Sequence, residues 1–539
     1  MESVLPKNVN YLDTLPRAVP AERKRKNFFA ANGTQYRPGQ TIIIEVSDPR
    51  SFLDTTNSFL RFSVENQNGA GGVFSPEFGG GQTFIRNFRV QQAGNTIMNI
   101  QEYSRLYNAI IAPCTGGAQW RSSTSVYENV PSFGTSPGGA TTNVPATPAE
   151  TQGGIITGLS CPAGANSLIP DGLTADFCVP LIGGLFSQDK LIPLPMLNQP
   201  IQLIFDINNV AELGVFDFAP TANDVLISNV RYCAELIEVP RDVLGFLSQQ
   251  QAAHGGSLVI PASSYEFQRS NLEAGATGTQ ILEIPSRKKS IKSVLFAFMA
   301  DASTIEAFAG AAGSGMPGGE GAHSVFSQST SANPCLVSYQ LRAGTHVIPP
   351  TPIQCAGGRG PPGGAGVNAG VAPVAGLPNN DNNKGEQVFE LSKAFGHLGS
   401  TMGLGALTRL TYSNPELTFG GGQVRIGTNW VVPQGQAGPG ADGIGQPQDV
   451  AGDEWKFCPF ALDLEAYQHE ALMSGLDTKS LSLQMQLFLE IANTRSVPDT
   501  GGGGLAAAAG QSSAINVDLY SYHDILYYFN SNGTITFSD

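Results

Sequence analysis

Phe88-Arg89-Val90-Gln91-Gln92-Ala93-Gly94-Asn95-Thr96-Ile97 and, 250 positions later, Ser338-Tyr339-Gln340-Leu341-Arg342-Ala343-Gly344-Thr345-His346-Val347 decide the fold. Each runs apolar residues on alternate positions into an Ala-Gly turn, which is the pattern of a half-buried strand entering a hairpin. Working outward, Ile42-Ile43-Ile44-Glu45-Val46-Ser47 reads like Ile281-Leu282-Glu283-Ile284-Pro285-Ser286, and Ser58-Phe59-Leu60 like Ser293-Val294-Leu295. Further on, Gln202 to Ile207 (QLIFDI) matches Gln486 to Ile491 (QLFLEI), and Asn229 to Leu236 sits opposite Leu519 to Leu526. The offsets are about 238, 235, 250, 284 and 290, and the order never changes. Any two strands share an apolar alternation, so one match says little. The ordered set of five implies two tandem copies of one β-domain, the second lengthened by its loops.

Composition agrees. Of 539 residues, 64 are Gly and 36 Pro, and only 14% are charged against 41% hydrophobic. Helical bundles and coiled coils cannot absorb Gly and Pro at this density. The 29 Phe and 14 Tyr supply core enough to exclude wholesale disorder. A formal charge of −14 argues against a protein whose main task is wrapping phosphate backbones. The seven cysteines, at 114, 161, 178, 233, 335, 355 and 458, include no CxxC pair and suit neither a zinc site nor a disulfide framework, which fits a reducing compartment. The N-terminus has no apolar signal core, so synthesis without a signal peptide and a soluble product are expected.

Strand patterns fall at Thr41 to Val46, Phe59 to Val64, Thr83 to Val90, Ile201 to Ile207, Val225 to Ile237, Gln280 to Ile284, Ser293 to Met299, Leu336 to Leu341, Leu481 to Ile491 and Val517 to Phe529. Gly/Pro-rich stretches at roughly 132–157, 306–322, 356–386, 419–452 and 499–513 read as long loops. Short helices are expected at Gln101 to Asn108, at the junction around Val243 to Leu247, and at Glu390 to Gly396. The expected division is an N-terminal arm over 1–35, a first domain over 36–245 and a second over 246–539, each of a size for an eight-stranded sandwich with insertions.

Tyr36-Arg37-Pro38-Gly39-Gln40-Thr41-Ile42-Ile43-Ile44-Glu45-Val46, the paired Ala-Gly turns, and the terminal strand Asp518 to Tyr527 closed by Asn532-Gly533-Thr534 resemble the double jelly-roll major capsid proteins of icosahedral DNA viruses, of the polinton-like virus and virophage type. The likeness covers the strand framework over about 36–539 and not the Gly-rich loops. It implies an all-β chain of two tandem eight-stranded jelly rolls with a few short helices. It also implies a non-enzymatic virion protein whose homotrimers form pseudo-hexagonal capsomers tiling an icosahedral shell around double-stranded DNA. The implied partners are further copies of itself, neighbouring capsomers, penton and minor capsid proteins, and a host receptor at the outer loops. No cofactor is implied. A rival reading is a tandem β-sandwich that binds carbohydrate as a lectin or adhesin.

Arg23, Lys24, Arg25 and Lys26 form the one dense basic run, in a segment without strand pattern. As a functional element it is an arm at the inner shell face, touching an acidic minor protein, a membrane leaflet or DNA; the bland alternative is a solvated tail. Arg287 to Lys292 reads as a charged turn or an inter-subunit contact. The six His, at 254, 323, 346, 397, 469 and 523, are scattered; only His469-Glu470 and His523-Asp524 have an adjacent carboxylate, and neither has a partner at metal-ligand spacing. No G-x-S-x-G elbow or phosphate loop occurs, so no catalytic or nucleotide site is expected. Asn32-Gly33-Thr34 and Asn532-Gly533-Thr534 read as tight turns using the positive φ of Gly, and Tyr520, Tyr522, Tyr527, Tyr528 and Phe529 as core and inter-domain packing.

Overall fold

The structure, a computed structural model, describes residues 21–69, 73–76, 80–115, 169–216, 221–253, 255–273, 276, 278–300, 331–332, 336–355, 385–395, 424–426, 429–431, 455–456, 459–465, 474–479, 484–491 and 515–539. Its first half is built on eight strands: β1 (Glu22–Phe29), β2 (Thr41–Val46), β3 (Ser51–Asn66), β4 (Ile85–Gln92), β5 (Asn95–Ile100), β6 (Thr174–Pro180), β7 (Ile201–Ile207) and β8 (Val225–Glu238). The second half repeats them as β9 (Ser257–Leu272), β10 (Gly278–Ile284), β11 (Ile291–Ala300), β12 (Leu336–Ala343), β13 (His346–Gln354), β14 (Phe460–Asp463), β15 (Met485–Ile491) and β16 (Ile515–Asn530). A hairpin then adds β17 (Ile535–Ser538) beside β16.

Sheet order in the first half is β1-β8-β3-β6 and β2-β7-β4-β5; in the second it is β9-β16-β11-β14 and β10-β15-β12-β13. Adding eight to each label of the first half gives the second, so the duplication read from sequence is a duplication of topology. All of these pairings are antiparallel, and the crossed order is that of a jelly roll. Packing repeats too. Phe62 on β3 stacks on its register partner Phe177 on β6 with ring centroids 5.3 Å apart, and Phe296 on β11 stacks on Phe460 on β14 at 5.1 Å.

Each sheet buries its inner face, and β16 is covered on its outer face as well. On β2, Ile42, Ile44 and Val46 are buried while Thr41, Ile43 and Glu45 are not, the period of two that a pleated strand imposes. Each buried Phe or Ile contributes about 1.5–3 kcal/mol over an exposed one.

Each of the ten strand patterns expected from sequence coincides with a strand of this framework, though Thr83 and Phe84 close a 3-10 turn before β4 and 481–483 lie outside the described residues. The six without an expected pattern are β1, β5, β6, β9, β13 and β14, and in these sheets each pairs with one neighbour, so all six are edges. Edge strands are kept from aggregating by charge and proline, which erases the alternation a reader looks for. β1 reads ERKRKNFF and β13 reads HVIPPTPIQ. Residues 22–29 therefore correct the expected arm over 1–35: this part is the edge of a sheet, in register from Glu22 opposite Glu238 to Phe29 opposite Arg231. Residues 1–20 lie outside the described residues.

The junction helix runs Arg241–Ala253 across the expected boundary at 245, and a second helix, Gly385–Ala394, covers the expected Glu390 region. The helix expected at Gln101 is a run of α turn Tyr103–Leu106, π turn Tyr107–Ile111 and α turn Ala112–Thr115. Among the described residues, no helix is long and apolar enough to cross a membrane.

Candidate functional site

The seam between the two rolls carries a buried polar network. Roll 1 brings β5, the helical run from Tyr103 and the turn at Gly183-Gly184; roll 2 brings β9, β16 and β17. A Cβ on Gly183 would strike Ile100 and approach Tyr265 to 3.9 Å, and one on Gly184 would strike Met98 and sit 2.6 Å from the Tyr527 hydroxyl. Gly is required there because the turn is pressed against β5 of its own roll and, at Gly184, against Tyr527 of the other, at φ of +89° and +53°.

At the centre of the seam Asp518, fully buried on β16, accepts from Arg105 Nε at 3.1 Å and from Arg269 Nε at 2.7 Å. Arg105, 1% exposed, also donates from Nη2 to the Phe298 carbonyl at 2.8 Å. Tyr520 donates to the Glu102 carbonyl at 3.0 Å. Burial works against the Arg269 charge, yet the Asp518 carboxylate outweighs it and keeps the guanidinium above its ordinary range. Burial drives the Tyr520 hydroxyl far above its usual range, so it acts as a fixed donor. Glu212, near Glu102, is pushed up by burial first and by that neighbouring carboxylate second.

At the other end of the seam, Gln92 works twice. Its Nε2 donates to the Gly533 carbonyl at 2.8 Å and its Oε1 accepts from the Ile535 amide at 2.9 Å, while Asn198 Nδ2 donates to the Asn532 carbonyl at 3.1 Å. The turn at Asn532 is the tight hairpin expected, with Gly533 at φ +78°. Asn32-Gly33-Thr34 is not. Gly33 lacks a positive φ, and Asn32 organises the loop by its side chain, donating to Thr41 O and accepting from the Ile43 amide and the Tyr36 hydroxyl. Tyr520 and Tyr527 are buried at the seam, as inter-domain packing requires.

The basic run does not reach out as an arm. Arg23 and Arg25 both bond Glu235, at 3.1 and 2.6 Å, Lys24 bonds Glu238 at 2.9 Å, and Lys26 bonds Asp48 at 3.3 Å. Alternation along β1 places Arg23 and Arg25 on one side of the sheet, where they bracket Glu235 across the ladder. Burial alone would raise the Glu235 carboxyl, but the Arg25 and Arg23 hydrogen bonds outweigh it and hold it below its usual range. Each of the four cations keeps between 37% and 59% of its side chain exposed. The second basic run is a turn tied down within the chain, with Lys288 on Asp539 at 2.5 Å and Lys292 on Asp524 at 3.0 Å.

His523 is buried with Nδ1 3.1 Å from the Ser521 carbonyl, while Asp524 accepts from Ser290 and Lys292. Adjacent strand residues point to opposite faces, so this pair is no dyad. His469-Glu470 lies outside the described residues. Among the described residues no three His, Cys, Asp or Glu gather as a metal site, and Cys114, Cys178 and Cys233 are free thiols. Sequence reading missed the seam residues Arg105, Asp518, Arg269 and Gln92; the available signal was a charge inside an apolar run, as in Ile515-Asn516-Val517-Asp518-Leu519-Tyr520.

No protein-family model and no curated protein matches the chain. Solved structures do. PBCV-1 VP54, as fitted into a cryo-EM reconstruction of the virophage Sputnik, matches with a TM-score of 0.52 at 10% identity, over 98% of either chain. A quasi-atomic model of the PBCV-1 virus capsid matches at 0.50 and 10% identity, again over 98% of each. The cryo-EM structure of the Sputnik virophage matches at 0.50 and 11% identity, over 100% of this chain and 93% of that one. Together with the sheet orders, these matches establish that the chain carries, over nearly its whole length, the double jelly-roll fold of the PBCV-1 and Sputnik major capsid proteins.

Proposed function

We propose that this chain is the major capsid protein of an icosahedral double-stranded DNA virus and that it works by self-assembly, without chemistry. The observation that carries the reading is the seam: two topologically equal rolls are fixed as one block by a fully buried carboxylate between two guanidinium groups. A block of two like modules, taken three times about an axis, presents six like modules to its surroundings and fits hexagonal positions in a lattice with one gene product. The near-full-length likeness to PBCV-1 VP54 supports it.

The unit in this reading is a homotrimeric, pseudo-hexagonal capsomer in a virion shell. Its partners are neighbouring capsomers, penton and minor capsid proteins, with a host receptor at the outer loops. Arg23, Lys24, Arg25 and Lys26 retain enough exposed charge to meet an acidic partner surface. Electron cryo-microscopy of the concentrated, purified chain tests the proposal. Capsomers of threefold symmetry with six-lobed outlines are expected. Single-chain particles of two lobes that bind a glycan array would favour the carbohydrate-binding alternative.

A further inference from the structure

The seam is made from two unlike surfaces, and each has a counterpart on the opposite roll that is left open among the described residues. Roll 1 gives the sheet edge β5 with the helical run that follows it; roll 2 receives them on the outer face of β9 and β16. By the eight-strand equivalence, the giving surface of roll 2 is edge β13 with helix Gly385–Ala394, and the receiving surface of roll 1 is the outer face of β1 and β8. Where these surfaces meet in the seam, Met98, Ile100, Arg105 and Tyr520 are all buried. Where they do not meet, large apolar groups stand in solvent: Phe389 on the helix is 52% exposed, Val347 on the edge 41% and Phe29 on the face 63%.

Charge matches as well. The receiving face of roll 1 carries Arg23 and Arg25 around the single carboxylate Glu235, a net positive charge, and the giving helix of roll 2 carries Glu386 and Glu390 against the single cation Lys393, a net negative one. Two exposed aromatics, one on each surface, with opposite net charge on the two surfaces, make the giving surface of one copy complementary to the receiving surface of another.

We propose that β13 and helix Gly385–Ala394 of one copy dock on the outer face of β1 and β8 of a second copy, repeating the intrachain seam between chains. This rests on the capsomer reading and says which surfaces make it. The contact is heterologous: each copy gives with one surface and receives on the other, and in the threefold capsomer three such contacts close the ring. Three copies then contain six joints, three within chains and three between them. Phe389 and Phe29 are the apolar anchors of the inter-chain joint.

Two variants and their mixture test this by light scattering. Phe389→Asp spoils only the giving surface and Phe29→Asp only the receiving one, so each alone should run as a folded monomer of 56.6 kDa by mass and circular dichroism. Mixed in equal amounts, they should form a species of two chains and stop there. The intact helix of the Phe29 variant meets the intact face of the Phe389 variant, and the second joint is blocked on both sides. An isologous contact would stop the wild-type chain itself at two copies. Leu173→Asp, at a residue 57% exposed on a turn before β6, should keep the wild-type mass. If the wild-type chain is itself monomeric, the capsomer reading falls. If the wild type is a trimer that both Phe variants leave intact, or the mixture stays monomeric, the surface assignment falls alone. Should either variant fail to fold, hydrogen exchange on the wild-type trimer decides: residues 346–354 and 385–394 must be protected relative to dilute monomer, and equal exchange overturns the proposal.

Discussion

Replacing Asp518 by Asn should weaken the chain by about 3–5 kcal/mol, the range for removing one partner of a buried ion pair. The magnitude follows from where the charges sit. Asp518 has no exposed surface and Arg105 has 1%, so water cannot take over the counter-charge. Asn keeps the volume and can accept one hydrogen bond, which leaves packing intact and isolates the charge. Arg269 is 36% exposed and can turn to solvent, so Arg269→Ala should weaken the chain by about 1 kcal/mol or less. Urea unfolding followed by circular dichroism, with variant and wild type at one protein concentration, reads both. The paired change Arg105→Met with Asp518→Leu removes both buried charges at once and should recover most of the loss, since apolar substitutes of similar volume commonly match or exceed a buried pair. A loss below about 1 kcal/mol for Asp518→Asn, the range of exposed pairs, would refute the reasoning. Failure of the double change to recover would place the effect in packing instead of charge.

Gly184→Ala should lower the melting temperature by an overpacking penalty of about 1–3 kcal/mol, because its Cβ meets Met98 and the Tyr527 hydroxyl at a φ of +53°; an unchanged melt would mean the seam is loose. Burial, and after it the Lys288 charge, holds His523 below its ordinary 6.5, so the folded chain takes up this proton less readily than the unfolded one. The stability this residue allows is therefore full above pH 6.5 and declines as pH falls through the window beneath it. His523→Gln should flatten the melting temperature in that window, and an identical slope in wild type and variant would contradict the assignment. For Glu235 the sign is that of a depressed acid: its contribution is present above its ordinary 4.5 and lost as pH falls through the lower folded value. Acid titration of Arg23→Ala with Arg25→Ala should accordingly begin to unfold at higher pH than wild type.

Much of the fold was legible because five strands of each roll lie where apolar alternation is enforced, as in Thr41 to Val46, with every second residue in the core. The duplication was legible for the same reason, since both copies obey one pleat. The edges were not. β1 reads as a charged tail because its cations pair across the ladder with Glu235 and Glu238, 212 and 214 positions away, which no local pattern records. The seam was hidden in the same way: Arg105 and Asp518 are separated by 413 positions, and each by itself reads as a stray charge in an apolar run.

The mass of the purified wild-type chain in solution, by light scattering at micromolar concentration, tests the central claim most directly. The account predicts a species near three times 56.6 kDa, held by interfaces well above the ~2,000 Å² at which standard-size complexes end. A fully folded species at 56.6 kDa, stable across that concentration range, would contradict it.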